Sequence, residues 1–175
     1  YTPPRPDPSA IRKLAEMLAR AERPVIIAGN GVTMTETGEA RQDLALASGI
    51  AVATSYNGKG VIAETAPIAV GMLGTWGHAC ANRAVAAADL VVMLGASMGP
   101  DYTRFRDPAM IRPGEQALVQ VDIDPRNAGW VYPVDHAVTG DVADVLTELA
   151  KLDLGAAKKA ARLAHIASLR DKWEF

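Results

Sequence analysis

Hydrophobic positions along this chain follow two rhythms that alternate. Ile11, Leu14, Ala15 and Leu18 recur at i, i+3, i+4 and i+7, the spacing of a single helix face. Asp7-Pro8-Ser9 stands before them, a capping carboxylate followed by proline at the first helical position, and predicts the helix start. Pro24 closes that helix and opens Pro24-Val25-Ile26-Ile27-Ala28, a continuous apolar run of the kind buried on both faces of a sheet. The second rhythm returns in Leu90-Val91-Val92-Met93-Leu94, between Asp89 and Gly95, and in Leu118-Val119-Gln120-Val121, which runs into Asp122.

Weaker signals fill the intervals. The pattern predicts a helix over 36–47 ending at Gly49, a strand over 50–53, and a short strand at 68–70 within the long glycine-bearing connection 54–74. An alanine-rich helix is expected over 79–88, a polar loop with a short helix over 100–114, and a last short strand over 136–139. Asp141 caps a final periodic helix with Val142, Val145, Leu146 and Leu149 on one face. Buried strands alternating with helices describe an α/β domain with a parallel sheet. Its ligand crevice belongs at the strands' carboxyl ends, where Gly and Asp cluster.

Composition narrows the function classes. With 18 basic against 20 acidic residues the net charge is −2, so there is no electrostatic footprint for nucleic acid. No apolar run is long enough to span a bilayer. The single cysteine, Cys80, excludes a disulfide within the chain, and a reducing cytoplasm is the expected compartment. Tyr1-Thr2-Pro3-Pro4-Arg5-Pro6 reads as an extended linker, as if the segment were cut from a longer polypeptide. The expected organisation is a linker over 1–8, one domain over 9–154, and a helical tail over 155–175. In that tail Lys158, Lys159, Arg162, Arg170 and Lys172 alternate with Leu163, Ile166, Leu169 and Trp173. Such a basic amphipathic helix either meets a membrane or partner groove, or packs on its own or a neighbouring domain.

Several short motifs invite chemistry. Gly29-Asn30-Gly31 sits between a strand and a helix, where a dinucleotide fingerprint would sit. Met34 replaces the third glycine, and Ala53-Thr54-Ser55 lacks the acid that holds an adenosine ribose, so a standard NAD site is not expected. The alternative is a tight turn using glycine for backbone reasons alone. Asp122-Ile123-Asp124-Pro125 offers either an acid for a ribose or a turn and cap before proline; the two carboxylates alternate on a strand and do not share an ion. Gly95-Ala96-Ser97-Met98-Gly99 has the form of a nucleophile elbow, with Asp122 or Asp124 and then His136 following in triad order. Pro100, the missing oxyanion segment, and a histidine that opens a strand argue against it. Gly58-Lys59-Gly60 is a turn with one exposed lysine, and Cys80 a small buried thiol. Trp76, between Gly74 and Gly77, either flanks a ring-bearing ligand or partner domain, or joins the core.

Taken in order, these pieces resemble the central domain of thiamine-diphosphate-dependent enzymes of the acetolactate synthase, benzoylformate decarboxylase and oxalyl-CoA decarboxylase group. The resemblance rests on Arg23-Pro24-Val25-Ile26-Ile27-Ala28-Gly29-Asn30-Gly31-Val32, on Gly58-Lys59-Gly60, Pro67 and Gly71-Met72-Leu73-Gly74, on Asn82, on Ala88-Asp89-Leu90-Val91 with Gly95-Ala96-Ser97, and on Val121-Asp122-Ile123-Asp124-Pro125. It implies a single Rossmann-like domain, a six-stranded parallel sheet with helices on both faces. It implies flanking domains of the same polypeptide and subunit contacts in a homo-oligomeric lyase, decarboxylase or carboligase acting on 2-keto acids or acyl-CoA-like substrates. Thiamine diphosphate and magnesium would be held by those other domains. Thr139-Gly140-Asp141-Val142 is the nearest approach to the diphosphate motif and lacks its second glycine and asparagine pair, so no catalytic or metal-binding residue is assigned here. Relatives hold FAD or ADP in the central crevice, or nothing. In that light Gly29, Asn30, Gly31, Gly95, Ala96 and Ser97 would meet the phosphates, Asp122 or Asp124 the ribose, and Gly74, in a stretch similar to the flavin-binding version, would join the cofactor site. Ser97 stands where flavin-binding relatives carry an arginine. The other readings are a free-standing serine hydrolase built on Ser97 and a stand-alone nucleotide-binding module.

Overall fold

The computed structural model describes residues 2–35, 38–173 and 175. The first helix, α1 (Pro8–Arg20), begins as its sequence dictates: Asp7 is the N-cap, its side chain accepting from the Ser9 amide, and Pro8 takes the first position. Ile11, Leu14, Ala15 and Leu18 are its buried residues. Strands β1 (Pro24–Ala28), β2 (Ala51–Thr54), β3 (Ala69–Met72), β4 (Leu90–Leu94), β5 (Ala117–Asp122) and β6 (His136–Thr139) form one sheet in the order β3-β2-β1-β4-β5-β6. Every neighbouring pair is parallel. The order reverses between β1 and β4, which is the switch point where a doubly wound sheet leaves a crevice.

Between strands lie the helices α2 (Asn30–Thr33), α3 (Gly38–Ser48) and α4 (Ala79–Ala87), and after the last strand come α5 (Val142–Leu149) and α6 (Lys159–Lys172). The expected start of α3 at Glu36 lies outside the described residues, as do Tyr1 of the linker and Glu174 of the tail. Val142, Val145, Leu146 and Leu149 of α5 are buried, and Asp141 caps it through the Ala143 amide. The short helix expected within 100–114 is absent. That segment is a series of turns in which Arg104, Phe105 and Arg106 take positive φ, incompatible with a right-handed helix. Among the described residues no helix is long and apolar enough to cross a membrane.

Of the two readings of the tail, packing on its own domain is the one its cations take. Arg162 is buried, 2% exposed, and its guanidinium donates to the carbonyls of Leu18, Ala21, Ser48 and Leu154. Those of Leu18 and Ala21 close α1 and that of Ser48 closes α3, where helices leave backbone acceptors unpaired and carry partial negative charge; that of Leu154 lies in the loop after α5. Arg170 likewise donates to the carbonyls of Ala66 and Ala69, beside β3, and lies over the Phe175 ring. The tail is therefore tied to the sheet unit through its cations.

Burial beside this junction, reinforced by the charge of Arg23, holds the His165 imidazole below its ordinary value. The folded chain then binds fewer protons than the unfolded chain near pH 6.5. Stability falls as pH drops through the ordinary histidine range toward the folded value, and is unaffected by this group above it. His165→Gln is expected to flatten the pH dependence of the urea midpoint between pH 7 and 5.5. An unchanged slope would remove His165 from that dependence.

Candidate functional site

The crevice is built where the turns after β1 and β4 meet backbone to backbone. The Gly29 amide donates to Leu94 O and the Gly31 amide to Gly95 O, both at 2.9 Å. A Cβ on Gly29 would lie 2.3 Å from Gly95 O and 2.4 Å from Ala96 Cα, so only glycine permits this approach. The Gly95 amide donates to Val121 O, binding the same turn to β5. Three of the amides expected to face phosphate are thus committed to holding the two turns together. Those of Asn30, Ala96 and Ser97 meet no acceptor among the described residues.

Beyond these turns lies an open cleft of about 540 Å³. Asn30, Gly31, Gly95, Ser97 and Asp122 line it, whereas Gly29, Ala96, Gly74 and Asp124 do not. Gly29 and Ala96 form the contact beneath its floor. Gly74 (φ +112) is pressed against the segment after β4, where a Cβ would come within 2.4 Å of Asp101 O. The Asn82 side chain holds Gly74 by both its amide and its carbonyl.

The two aspartates take different parts. Asp122 faces the cleft, and its Oδ1 accepts from the Asp124 amide and the Asn127 side chain. Asp124 is the N-cap of a short turn at Pro125–Asn127 and is gripped by the Arg126 guanidinium, which holds its carboxyl at about 2. Its place is the turn-and-cap one of the two readings in the sequence.

Other side chains shape the cleft without having shown themselves in the sequence. Gln120, 5% exposed in the middle of β5, donates to Ala96 O and fixes the turn after β4. A lone glutamine in an apolar strand was the available signal, because a buried amide must find a partner. Tyr56 and Tyr102 stack edge to face at 5.0 Å, and the Tyr56 hydroxyl accepts from the Trp76 amide. Trp76 itself is 78% exposed, so core packing was not its fate. Lys59 pairs with Glu64 on the surface, and Cys80 is fully buried, its thiol pushed up by burial.

The hydrolase triad does not assemble. Ser97 stands at the carboxyl end of the sheet, while His136 opens β6 at the opposite end and places Nε2 2.9 Å from Ala10 O on α1. Nor does Thr139-Gly140-Asp141-Val142 offer a seat for thiamine diphosphate: the Asp141 carboxylate is engaged in capping α5. Among the described residues no three His, Cys, Asp or Glu side chains stand close enough to hold a metal ion. Among the described residues no lysine or arginine lines the cleft, although Asp122 and Asp141 both do.

Comparison with known proteins agrees with this architecture. A family model described as thiamine pyrophosphate enzyme, central domain, matches residues 11–149. A probable acetolactate synthase large subunit of Methanocaldococcus jannaschii is 36% identical over 145 residues, covering 81% of this chain and 24% of that protein. Sulfoacetaldehyde acetyltransferase of Alcaligenes xylosoxydans xylosoxydans is 33% identical over 171 residues, covering 95% of this chain and 28% of that protein. The enzyme of the same name from Castellaniella defragrans is 33% identical over 165 residues. The chain spans about a quarter of the length of the curated relatives it matches. With a six-stranded parallel sheet, its crevice at the switch point, and a family match over most of its length, the chain belongs to the central-domain family of thiamine pyrophosphate enzymes.

Proposed function

We infer that this chain is the non-catalytic central unit of a thiamine-diphosphate-dependent lyase, decarboxylase or carboligase acting on 2-keto acids or acyl-CoA-like substrates. Its relatives' names, acetolactate synthase and sulfoacetaldehyde acetyltransferase, favour synthase- or transferase-type chemistry. Thiamine diphosphate and magnesium belong to flanking domains of the parent polypeptide, and the unit contributes to contacts in a homo-oligomer. Within this chain the residues hold, orient and exclude, and move no proton of the reaction.

The crevice is read as an adenine-nucleotide site for ADP or the ADP half of FAD. The observation that carries this is the cleft of about 540 Å³ at the β1/β4 switch point, with Asp122 on its wall. Asp122 accepts from a ribose hydroxyl, and the Asn30 and Ser97 amides are the donors left for a phosphate oxygen. Aromatic side chains nearby exclude water from one flank.

Thermal denaturation with ADP, FAD and NAD tests the reading. At a hundredfold its Kd a ligand adds about 2.7 kcal/mol, which raises the Tm of a domain this size by about 5–10 °C. ADP and FAD are expected to do so; NAD, which carries the same ADP half, reports whether the site tolerates what lies beyond that half. No shift with any of them at millimolar concentration would leave a scaffold without a nucleotide. A fluorophosphonate probe should leave Ser97 unlabelled.

A further inference from the structure

The nucleotide cleft does not end at Ser97. Past Ser97 and Asn127, which belong to both, it opens into a second hollow of about 590 Å³. Phe105 and Trp130 stand on its walls, 74% and 81% exposed, together with Arg106. Large aromatic side chains this exposed are uncommon unless something covers them.

Arg106 is held in place by an unusual backbone. Arg104, Phe105 and Arg106 have φ of 51, 59 and 63°, three successive left-handed residues, which side-chain-bearing residues adopt singly if at all. The turn is fastened from within. The Phe105 amide donates to Pro100 O at 2.7 Å, and the Arg106 amide to the hydroxyl of Thr103, a fully buried residue, at 3.1 Å. Backbone strain retained this way gathers where a side chain must be aimed. The guanidinium lies 5.6 Å over the ring of Tyr132, a buried platform.

Charge then decides the assignment. Arg106 is the one lysine or arginine among the described residues lining either hollow. Arg104 beside it is paired with Asp107, whereas no ion pair among the described residues includes Arg106. Among the described residues the first cleft carries two carboxylates and no cation, a poor seat for a dianion. A diphosphate entering it gains a charge-assisted contact only by reaching across Ser97 and Asn127.

We propose that Arg106 is the anion-holding residue of this site: adenosine occupies the first cleft, and its diphosphate crosses Ser97 and Asn127 to end against Arg106 beside Trp130. This rests on the nucleotide reading above. It moves the phosphates away from the Gly29-Asn30-Gly31 turn and onto the segment after β4.

Calorimetry at low salt on the 175-residue chain, with ADP and adenosine as probes, tests it. Arg106→Gln should weaken ADP at least tenfold, toward the affinity of adenosine, and leave adenosine unchanged. Arg104→Gln should leave ADP binding within about twofold. In parallel, ADP should change tryptophan fluorescence in the unsubstituted chain and not in Trp130→Phe, a readout that leaves the strained turn intact if Arg106→Gln folds poorly. ADP binding that Arg106→Gln leaves intact, an equal loss in Arg104→Gln, or a signal persisting in Trp130→Phe would each overturn the proposal alone. Binding of neither probe would overturn the nucleotide reading and this proposal with it.

Discussion

Replacing Arg162 with methionine will lower the unfolding free energy of the chain by about 3–5 kcal/mol, the scale of removing one partner from a buried charged network. The reason lies in what the guanidinium does at the junction of α1, α3 and the tail. Four carbonyl oxygens, of Leu18, Ala21, Ser48 and Leu154, accept from its two terminal nitrogens at 2.6–3.0 Å. Burial disfavours the charge and pulls its pKa below the ordinary arginine value, while Asp89, Glu22 and Asp153 act the other way. A guanidinium still stays protonated at any pH at which the protein folds. Methionine keeps much of the volume and leaves every one of those carbonyls without a donor. Lysine, a single point charge, cannot fork between them and is expected to recover only part of the loss. Gly155 (φ +93) is shaped around the same group, since a Cβ there would fall 2.7 Å from Nη2 of Arg162. Urea unfolding followed by far-ultraviolet circular dichroism measures the effect. A loss under about 1 kcal/mol would show the four contacts to be dispensable.

Alanine at Gly29 is expected to cost about 3 kcal/mol and to abolish nucleotide stabilisation, because its methyl would have to occupy space already filled by main chain. The nearest atoms, Gly95 O and Ala96 Cα, are backbone and cannot rotate away. Either β1 or β4 must shift, and the hydrogen bonds from Gly29 to Leu94 and from Gly31 to Gly95 open with it. Gly60→Ala is the comparison. Its φ of +94° strains a side chain, but a Cβ there meets nothing within 4 Å, so about 1–2 kcal/mol is expected. Melting curves with and without ADP separate the two effects. If Gly29→Ala proves no worse than Gly60→Ala, the contact between the two turns is not what holds the crevice.

Much of the frame was open to reading from side-chain order alone. The face of α1, the cap at Asp7, the apolar strands and the capped helix after Asp141 all appear within a residue or two of their expected bounds. Each of these is a local pattern, in which period or cap chemistry specifies the element directly. The segment after β4 was not legible, because Pro100 and a polar run say nothing about three consecutive left-handed residues. For Arg162 and Arg170 the sequence left open a membrane or partner groove or packing on the domain, since periodicity alone does not show what a cation meets. What decided it was a set of backbone carbonyls, at the ends of α1 and α3 for Arg162 and beside β3 for Arg170, more than 100 positions away along the chain for most of the contacts.

The site divides in the same way. Glycines and aspartates at strand ends marked the crevice, yet whether an amide faces the cleft or a neighbouring turn, and whether Asp122 or Asp124 lines it, followed only once β1, β4 and β5 were set side by side. Sequence by itself determined a parallel α/β layer, because apolar periodicity and turn residues act over short distances along the chain, and the resemblance of its ordered motifs pointed to the family. Tertiary structure alone decided which polar groups are taken by partners and which remain for a ligand, because hydrogen bonding and charge depend on distances between segments far apart in the chain.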